Sequence, residues 1–144
     1  MGSPESPIEA TGQSFPGMKV LLVEDNKMNQ KLALKLLEKV SIQAALAENG
    51  QEALDLLSQE PFQLVLMDLQ MPVLDGIEAT RRIRLGENQI DPDTPVVAVT
   101  ANVFDEDRKQ CKAVGMNDFI AKPIERAHLY RVLHQFYTDS KSSN

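Results

Sequence analysis

Residues 64–76 read LVLMDLQMPVLDG, and this stretch decides the fold class. It opens with four consecutive apolar residues, Leu64–Met67, and the acidic Asp68 follows at once. A short apolar run without alternation is typical of a strand that is covered on both faces, as parallel strands are. The dipeptide Asp75-Gly76 then indicates a turn. We therefore expect a buried strand that ends at an acidic residue and leads into a loop.

Strands of the same character recur along the chain, and helical patterns separate them. In the last helical segment the apolar residues have the i, i+3, i+4, i+7 spacing of one helix face, and in the first they recur at i, i+4, i+5 and i+8, which also keeps them to one side of a helix. Asn49, with Glu52 three residues later, indicates a variant of the capping box at the start of the second helix. The other apolar runs are Val20–Val23, Ala44–Ala47, Val96–Val99 and Phe119–Ala121, and the two helix faces are Leu32, Leu36, Leu37 and Val40, and Leu129, Val132, Leu133 and Phe136.

Five strand–helix units in succession predict an α/β fold with a parallel sheet, because parallel neighbours require crossover connections. Right-handed crossovers leave few topologies. We expect a doubly wound, flavodoxin-like (βα)5 fold with strand order 2-1-3-4-5. In such a sheet, ligands bind at the carboxyl ends of the strands, between strands 1 and 3.

The composition of the chain argues against several classes of function. The 144 residues carry a formal charge of −6 and no long run of Lys or Arg, which argues against binding to nucleic acid. The one cysteine excludes a disulfide within the chain. No apolar run approaches the roughly 18–20 residues that cross a bilayer, and the beginning of the sequence lacks the features of a signal peptide. We expect a soluble, cytoplasmic domain without direct membrane contact.

The ends of the sequence differ in composition from its middle. Residues 1–17 are rich in Pro, Gly, Ser and Thr and have no sustained period, so we interpret them as a flexible leader or linker. Residues 139–144 are polar, and we expect a disordered tail there. The folded domain is therefore expected at residues 18–138.

Polar residues end the predicted strands, and in this topology they meet at one edge of the sheet. Strand 1 ends at Glu24-Asp25 and strand 3 at Asp68. Thr100 ends strand 4, and Lys122-Pro123 follows strand 5. The edge should therefore hold three carboxylates, a hydroxyl and an ammonium group.

Three carboxylates in close proximity repel one another unless they share a cation. Mg²⁺ fits a site with few carboxylates and several waters, and Mn²⁺ is an alternative ion. Asp25 and Asp68 are the expected direct ligands. Glu24 could bind the ion directly or through water, and the backbone carbonyl of Gln70 could complete the set.

These residue types suit phosphoryl transfer, which needs positioning and neutralisation of charge. An ion would keep Asp68 ionised as a nucleophile and would neutralise an incoming phosphoryl group. Lys122 supplies a point charge for one phosphoryl oxygen, and the hydroxyl of Thr100 can donate a hydrogen bond to another.

Four segments together resemble the receiver domain of response regulators. They are LLVEDN at residues 21–26, LVLMDLQMPVLDG at 64–76, VVAVTAN at 96–102 and DFIAKPI at 118–124. The resemblance covers about residues 18–138. It implies that Asp68 accepts a phosphoryl group from a phosphohistidine on a histidine kinase or a histidine phosphotransfer domain, and that the domain passes the group onward or changes conformation.

The resemblance also implies a conformational switch. In such domains the hydroxyl residue at the end of strand 4 moves toward the phosphoryl group, and an aromatic residue on strand 5 turns inward behind it. These positions are Thr100 and Phe119 here, and Phe119 lacks the hydroxyl of the Tyr that is common in the family. The family also implies a cis Lys122–Pro123 peptide bond that aims Lys122 into the site.

Two amide side chains are expected to tune the lifetime of the phosphorylated form. Gln70 lies two residues after the acceptor, and Asn102 lies two residues after Thr100. Neither is a general base, so we expect slow self-dephosphorylation.

The pattern of residues 100–124 resembles hybrid-kinase receivers more than stand-alone regulators, and both contexts stay open. The docking face is expected to include the first helix with Met28, and a weak homodimer is also left open.

Three other functions fit the predicted fold class. An aspartate-nucleophile phosphatase needs a second acid two residues after the nucleophile, where this chain has Gln70. A flavodoxin-like nucleotide binder needs a Gly-rich loop after strand 1, which is absent from the sequence. The remaining alternative is a receiver-like interaction module that works without phosphorylation.

Overall fold

The computed structural model describes residues 14–101 and 105–142, and within them it confirms the expected α/β fold. Five strands form one sheet in the order β2-β1-β3-β4-β5, and every neighbouring pair is parallel. The strands are β1 Val20–Val23, β2 Ala45–Ala47, β3 Leu64–Asp68, β4 Val96–Thr100 and β5 Asp118–Ala121. The helices are α1 Lys27–Glu38, α2 Gly50–Gln59, α3 Gly76–Arg84, α4 Asp105–Ala113 and α5 Arg126–Ser142, with a short 3-10 segment at Glu87–Gln89.

Helices cover the sheet on both faces, so the side chains of each strand enter two separate cores. On β3, Leu64 and Leu66 pack on the face that α1 and α5 cover, and Val65 and Met67 pack on the opposite face. All four side chains are fully buried. Burial on both faces explains why the strand is a continuous apolar run rather than an alternating one.

Side-chain caps fix where the first three helices begin. Asn26, Asn49 and Asp75 each accept a hydrogen bond from the backbone N–H three residues later, which satisfies a donor that the helix leaves unpaired. The capping box at α2 is a variant, because Glu52 Oε1 accepts from the backbone N–H of Glu48 rather than from that of Asn49.

The apolar pattern expected for α1 holds only in part. Leu37 is fully buried, and Val40 is buried just after the helix ends. Leu32, however, is 42% exposed, because it lies at the edge of that face: the i, i+3, i+4, i+7 set that ends at Val40 begins at Ala33, which is buried. Leu32 lies in the middle of α1, beside the loop that follows β5, and lines a small crevice with Pro123 there. The exact helical spacing thus separates the buried Ala33 from the exposed Leu32.

The folded contacts extend beyond the expected boundaries of the domain. Phe15 is 1% exposed and belongs to the core, because its ring packs edge-on against Tyr137 at a centroid distance of 5.2 Å. Its backbone N–H also donates to the carbonyl of Val40. Core contacts therefore reach residue 15, inside the segment interpreted as a leader. Helix α5 continues to Ser142, four residues beyond the expected end at 138. Among the described helices, none combines the length and the apolarity needed to cross a membrane.

Arg84, the last residue of α3, ties that helix to the segments that precede β4 and β5. Its guanidinium donates to the carbonyls of Gly115, Pro92 and Thr94 and to Oδ1 of Asn117. The same Oδ1 accepts from the backbone N–H of Val96 at the start of β4. One side chain thus satisfies several backbone acceptors on two segments.

We expect Arg84→Met to lower the free energy of unfolding by about 2 kcal/mol, because the carbonyls lose a charged donor. Arg81→Met on the same helix is the matched control. Arg81 pairs with Glu78 at the surface, and such pairs contribute about 0–1 kcal/mol. Urea unfolding of both variants measures the difference, and equal losses would contradict the role assigned to Arg84.

Candidate functional site

The strand ends that the sequence singled out converge at the carboxyl edge of the sheet. In the register of β1 and β3, Val23 pairs with Met67, which places Glu24 level with Asp68. Thr100 is the last residue of β4 and pairs with Ala121 of β5. The edge therefore lies at the β1–β3 switch point that the topology predicts.

Three carboxylates gather there. Glu24, Asp25 and Asp68 each place one carboxylate oxygen within 4.8 Å of the other two. Glu24 and Asp68 are buried, at 3% and 5% exposure, whereas Asp25 is exposed. The site thus has a buried floor and one carboxylate open to solvent, which is where a ligand can approach.

Lys122 bridges the two buried carboxylates. Its Nζ lies 3.0 Å from Oε1 of Glu24 and 3.2 Å from Oδ2 of Asp68. The Lys122–Pro123 peptide bond is cis, the state that the resemblance implies. The backbone N–H of Lys122 donates to the carbonyl of Thr100, so β4 fixes the loop that carries the lysine.

Burial and neighbouring charges shift the pKa values of Asp68 and Lys122. Desolvation, together with the negative charge of Glu24, raises the pKa of Asp68 from 3.8 to about 6, against the opposing effect of Lys122. For Lys122, burial lowers the pKa, but the hydrogen bonds and charges of Glu24 and Asp68 outweigh it, so the pKa lies above 10.5. One ammonium group therefore does not fully compensate the carboxylates.

A hard divalent cation fits this donor set. The oxygens of Glu24, Asp25 and Asp68 are close enough to bind one ion, and burial, followed by the charge of Glu24, raises the pKa of Asp68, so a cation that shares these oxygens would favour its ionised form. Gln70, whose carbonyl was the fourth expected ligand, lies in the loop directly after β3. Its backbone N–H donates to Oδ1 of Asp68 over 3.3 Å, and metal binding by its carbonyl stays a prediction.

Two residues that the sequence did not single out position Glu24. The backbone N–H of Asn26 donates to Oε2 of Glu24 at 3.0 Å, and Nε2 of Gln30 donates to the backbone carbonyl of Glu24 at 2.7 Å. Gln30 is 5% exposed, so this amide is a buried polar group with a specific partner. A Gln within an amphipathic helix carries no signal of that role in the sequence.

Gly76 is a third position whose importance the sequence did not reveal. A side chain there would meet the backbone carbonyl of Asp68 and approach Cγ of Met67 to 2.9 Å. The start of α3 can therefore lie directly against the end of β3 only because residue 76 has no Cβ. Asp75, in the turn that the Asp75-Gly76 dipeptide indicates, serves as the N-cap of α3.

The residues expected to form the switch are placed on β4 and β5. Thr100 is buried, and Phe119 is half-buried. The guanidinium carbon of Arg108 lies 4.2 Å from the centroid of the Phe119 ring. Asn102, the second residue expected to tune lifetime, lies outside the described residues.

Comparison with known families and proteins agrees with this geometry. A family model described as "Response regulator receiver domain" matches residues 20–134. The chain is 42% identical over 127 residues to hybrid signal transduction histidine kinase K of Dictyostelium discoideum, covering 83% of the chain and 10% of that protein. It is 37% identical over 137 residues to the histidine-protein kinase BarA of Escherichia coli K12, covering 95% of the chain and 15% of that protein. The chain thus spans a small fraction of the length of these relatives.

Solved structures resemble the fold closely. The receiver domain of sensor histidine kinase PA1611 from Pseudomonas aeruginosa has a TM-score of 0.77 and 39% identity, with 85% of this chain and 98% of that chain covered. That structure has a magnesium ion coordinated in its active site cleft. The receiver domain of Ssk1 from Saccharomyces cerevisiae, solved together with the histidine phosphotransfer protein Ypd1, has a TM-score of 0.80 and 35% identity, with coverage of 88% and 92%.

Proposed function

Because this chain belongs to the response regulator receiver domain family of two-component systems, we propose that Asp68 accepts a phosphoryl group from a phosphohistidine on a histidine kinase or a histidine phosphotransfer domain. The proposal is based mainly on one observation. The buried carboxylate of Asp68 ends β3 beside a second buried carboxylate, with the ammonium of Lys122 3.2 Å away. A nucleophile and groups that neutralise phosphoryl charge are thus already adjacent.

The proposed transfer is a single displacement at phosphorus. An oxygen of ionised Asp68 forms the new P–O bond while the P–N bond of the phosphohistidine breaks, and the electron pair returns to the imidazole nitrogen, which then takes up a proton. Asp68 needs no general base, because a carboxylate attacks without losing a proton. Lys122 moves from its carboxylate partners to a phosphoryl oxygen, and the hydroxyl of Thr100 donates to another.

Glu24, Asp25 and Asp68 would hold Mg²⁺ in this reaction. When bound, the ion supplies charge neutralisation for the carboxylates and for the phosphoryl group. The convergence of the three carboxylate oxygens supports this assignment, as does the magnesium ion in the related receiver domain from Pseudomonas aeruginosa. Asn26 and Gln30 keep Glu24 oriented toward the site.

The exposed apolar part of α1 is the proposed docking face for the donor. Met28 is 79% exposed and Leu32 is 42% exposed, and Leu32 shares a small crevice with Glu24 and Lys122. Exposed apolar side chains next to a charged site are typical of a surface that a partner covers. The complex of the Ssk1 receiver with Ypd1 supports a phosphotransfer domain as one such partner.

The phosphorylated form would act through Thr100 and Phe119, either by changing the surface near β5 or by passing the group onward. One relative is a hybrid signal transduction histidine kinase and another is a histidine-protein kinase, which supports a place for this domain within such a protein, and we expect it in the cytoplasmic part. Slow loss of the phosphoryl group, governed by Gln70 and Asn102, would suit a relay.

The direct test is labelling of the purified chain with radiolabelled acetyl phosphate in the presence of Mg²⁺. We expect stoichiometric labelling that hydroxylamine removes, because an acyl phosphate is sensitive to nucleophiles, and we expect EDTA to prevent it. Labelling that is unchanged in EDTA would contradict the metal assignment. The absence of labelling, from acetyl phosphate and from a phosphohistidine donor alike, would favour the interaction module that works without phosphorylation.

A further inference from the structure

The ring of Phe119 lies at the boundary between the sheet and α4. Its side chain packs at the edge of the core on the face that α2, α3 and α4 cover, and it remains half-buried. The guanidinium carbon of Arg108 on α4 lies 4.2 Å from the ring centroid, well within the distance of a cation–π interaction. Arg108 itself is exposed. The outer face of the ring is therefore covered by a charge that comes from a different element.

Only small side chains separate the ring of Phe119 from Thr100 on this face of the sheet. Phe119 pairs with Ala98, and Thr100 pairs with Ala121. Because side chains two residues apart on a strand share a face, all four lie on the same side of the sheet. The two neighbours between the ring and Thr100 are alanines, and strand geometry places the α-carbons of Phe119 and Thr100 about 8 Å apart. An aromatic side chain can span such a diagonal.

No hydroxyl anchors the ring in the position described. Phe119 cannot donate the hydrogen bond that a Tyr would supply at this position. A cleft of about 420 Å³ opens beside the ring, with Lys109, Lys112 and Met116 among its lining residues. Among the described contacts of the ring, the guanidinium of Arg108 is the specific polar one.

We propose that Arg108 is a positioning residue that holds Phe119 in its outward orientation and so lowers the affinity of the Asp68 site for a phosphoryl group. This inference rests on the proposed function. If the ring must turn inward in the phosphorylated form, its contact with Arg108 is lost in that form. An interaction made only in the resting form shifts the equilibrium away from the phosphorylated form by its own free energy.

The size of the effect follows from the strength of the contact. Cation–π interactions at exposed sites correspond to about a two- to fivefold change in an equilibrium constant. Arg108→Ala should therefore bind beryllofluoride, a stable analogue of the phosphoryl group, about two to five times more tightly at saturating Mg²⁺. Arg108→Lys keeps a cation over the ring and should lie between the wild type and the Ala variant.

The control separates the contact with the ring from the general loss of charge. Lys109→Ala removes the same charge from the neighbouring position of α4, and it should leave the affinity unchanged or slightly weaker, because beryllofluoride is an anion. In a Phe119→Leu background, which has no aromatic face, Arg108→Ala should have no further effect. The free energy of unfolding of each variant is measured in parallel, because a merely structural role of Arg108 would change stability without changing affinity.

Each result decides the inference. Tighter binding by Arg108→Ala that disappears in the Phe119→Leu background supports it. Unchanged or weaker binding by Arg108→Ala overturns it, and so does an equal gain by Lys109→Ala or a gain that persists without the ring. Failure of the proposed function is recognised separately, because the wild-type chain would then bind no beryllofluoride at all.

Discussion

An Asp68→Asn variant is expected to take up no phosphoryl group from acetyl phosphate or from a phosphohistidine donor, whereas the wild-type chain is labelled. The amide has the shape of the carboxylate and can still accept the backbone hydrogen bond from Gln70, so the fold should persist. It lacks an anionic oxygen, however, and cannot form an acyl phosphate. Labelling of the variant at unchanged stoichiometry would place the acceptor elsewhere.

The same substitution is expected to stabilise the metal-free fold at pH 7. Burial and Glu24 raise the pKa of Asp68 to about 6 in the folded chain, from an ordinary 3.8. A carboxyl group with a raised folded-state pKa favours folding only while protonated, so its contribution is present below pH 3.8 and is lost as the pH rises through about 6. At pH 7 the ionised group therefore destabilises the fold.

A neutral amide removes this penalty. After a discount for screening by solvent and for the partner that Lys122 loses, we expect a gain of about 1–2 kcal/mol in the free energy of unfolding. Urea unfolding in EDTA at pH 7 measures it. Asp55→Asn, which neutralises an exposed carboxylate on α2, is the control and should change stability by less than about 0.5 kcal/mol. A loss of stability in Asp68→Asn would show that burial of the carboxylate carries no penalty.

A Gly76→Ala variant is expected to lose about 3 kcal/mol of stability, because its methyl group would overlap the backbone carbonyl of Asp68 and press on the side chain of Met67. Neither neighbour is the free end of a flexible chain, so α3 or the end of β3 has to move. Movement of β3 displaces the acceptor, and the rate of phosphoryl uptake should fall by at least about tenfold.

The matched control for Gly76→Ala is Gly17→Ala. No heavy atom lies within 4 Å of a Cβ built at Gly17, and its φ of +79° makes the substitution cost only about 1 kcal/mol of backbone strain. We expect that variant to be labelled at the wild-type rate. Equal losses of stability and of rate in the two variants would mean that the close approach of α3 to Asp68 is not required.

The sequence by itself determined the class of the fold and the members of the site. Continuous apolar runs indicated parallel strands buried on both faces, as β3 shows with Leu64–Met67. The topology then placed the polar residues at the ends of four strands at one edge. The site residues could be identified because they stand at or just after the end of a short, continuous apolar run, which is easily recognised; they are Glu24, Asp25, Asp68, Thr100 and Lys122.

The tertiary structure alone decided the details that depend on contacts distant in sequence. Burial of Phe15 depends on where α5 lies, because its ring packs against Tyr137, and no local pattern encodes that. Three further contacts join separate elements: the hydrogen bond from Gln30 to Glu24, the close approach of Gly76 to Asp68, and the position of Arg108 over the ring of Phe119. Hydrophobic periodicity reports which face of an element is buried, whereas contacts between elements are fixed by packing in three dimensions.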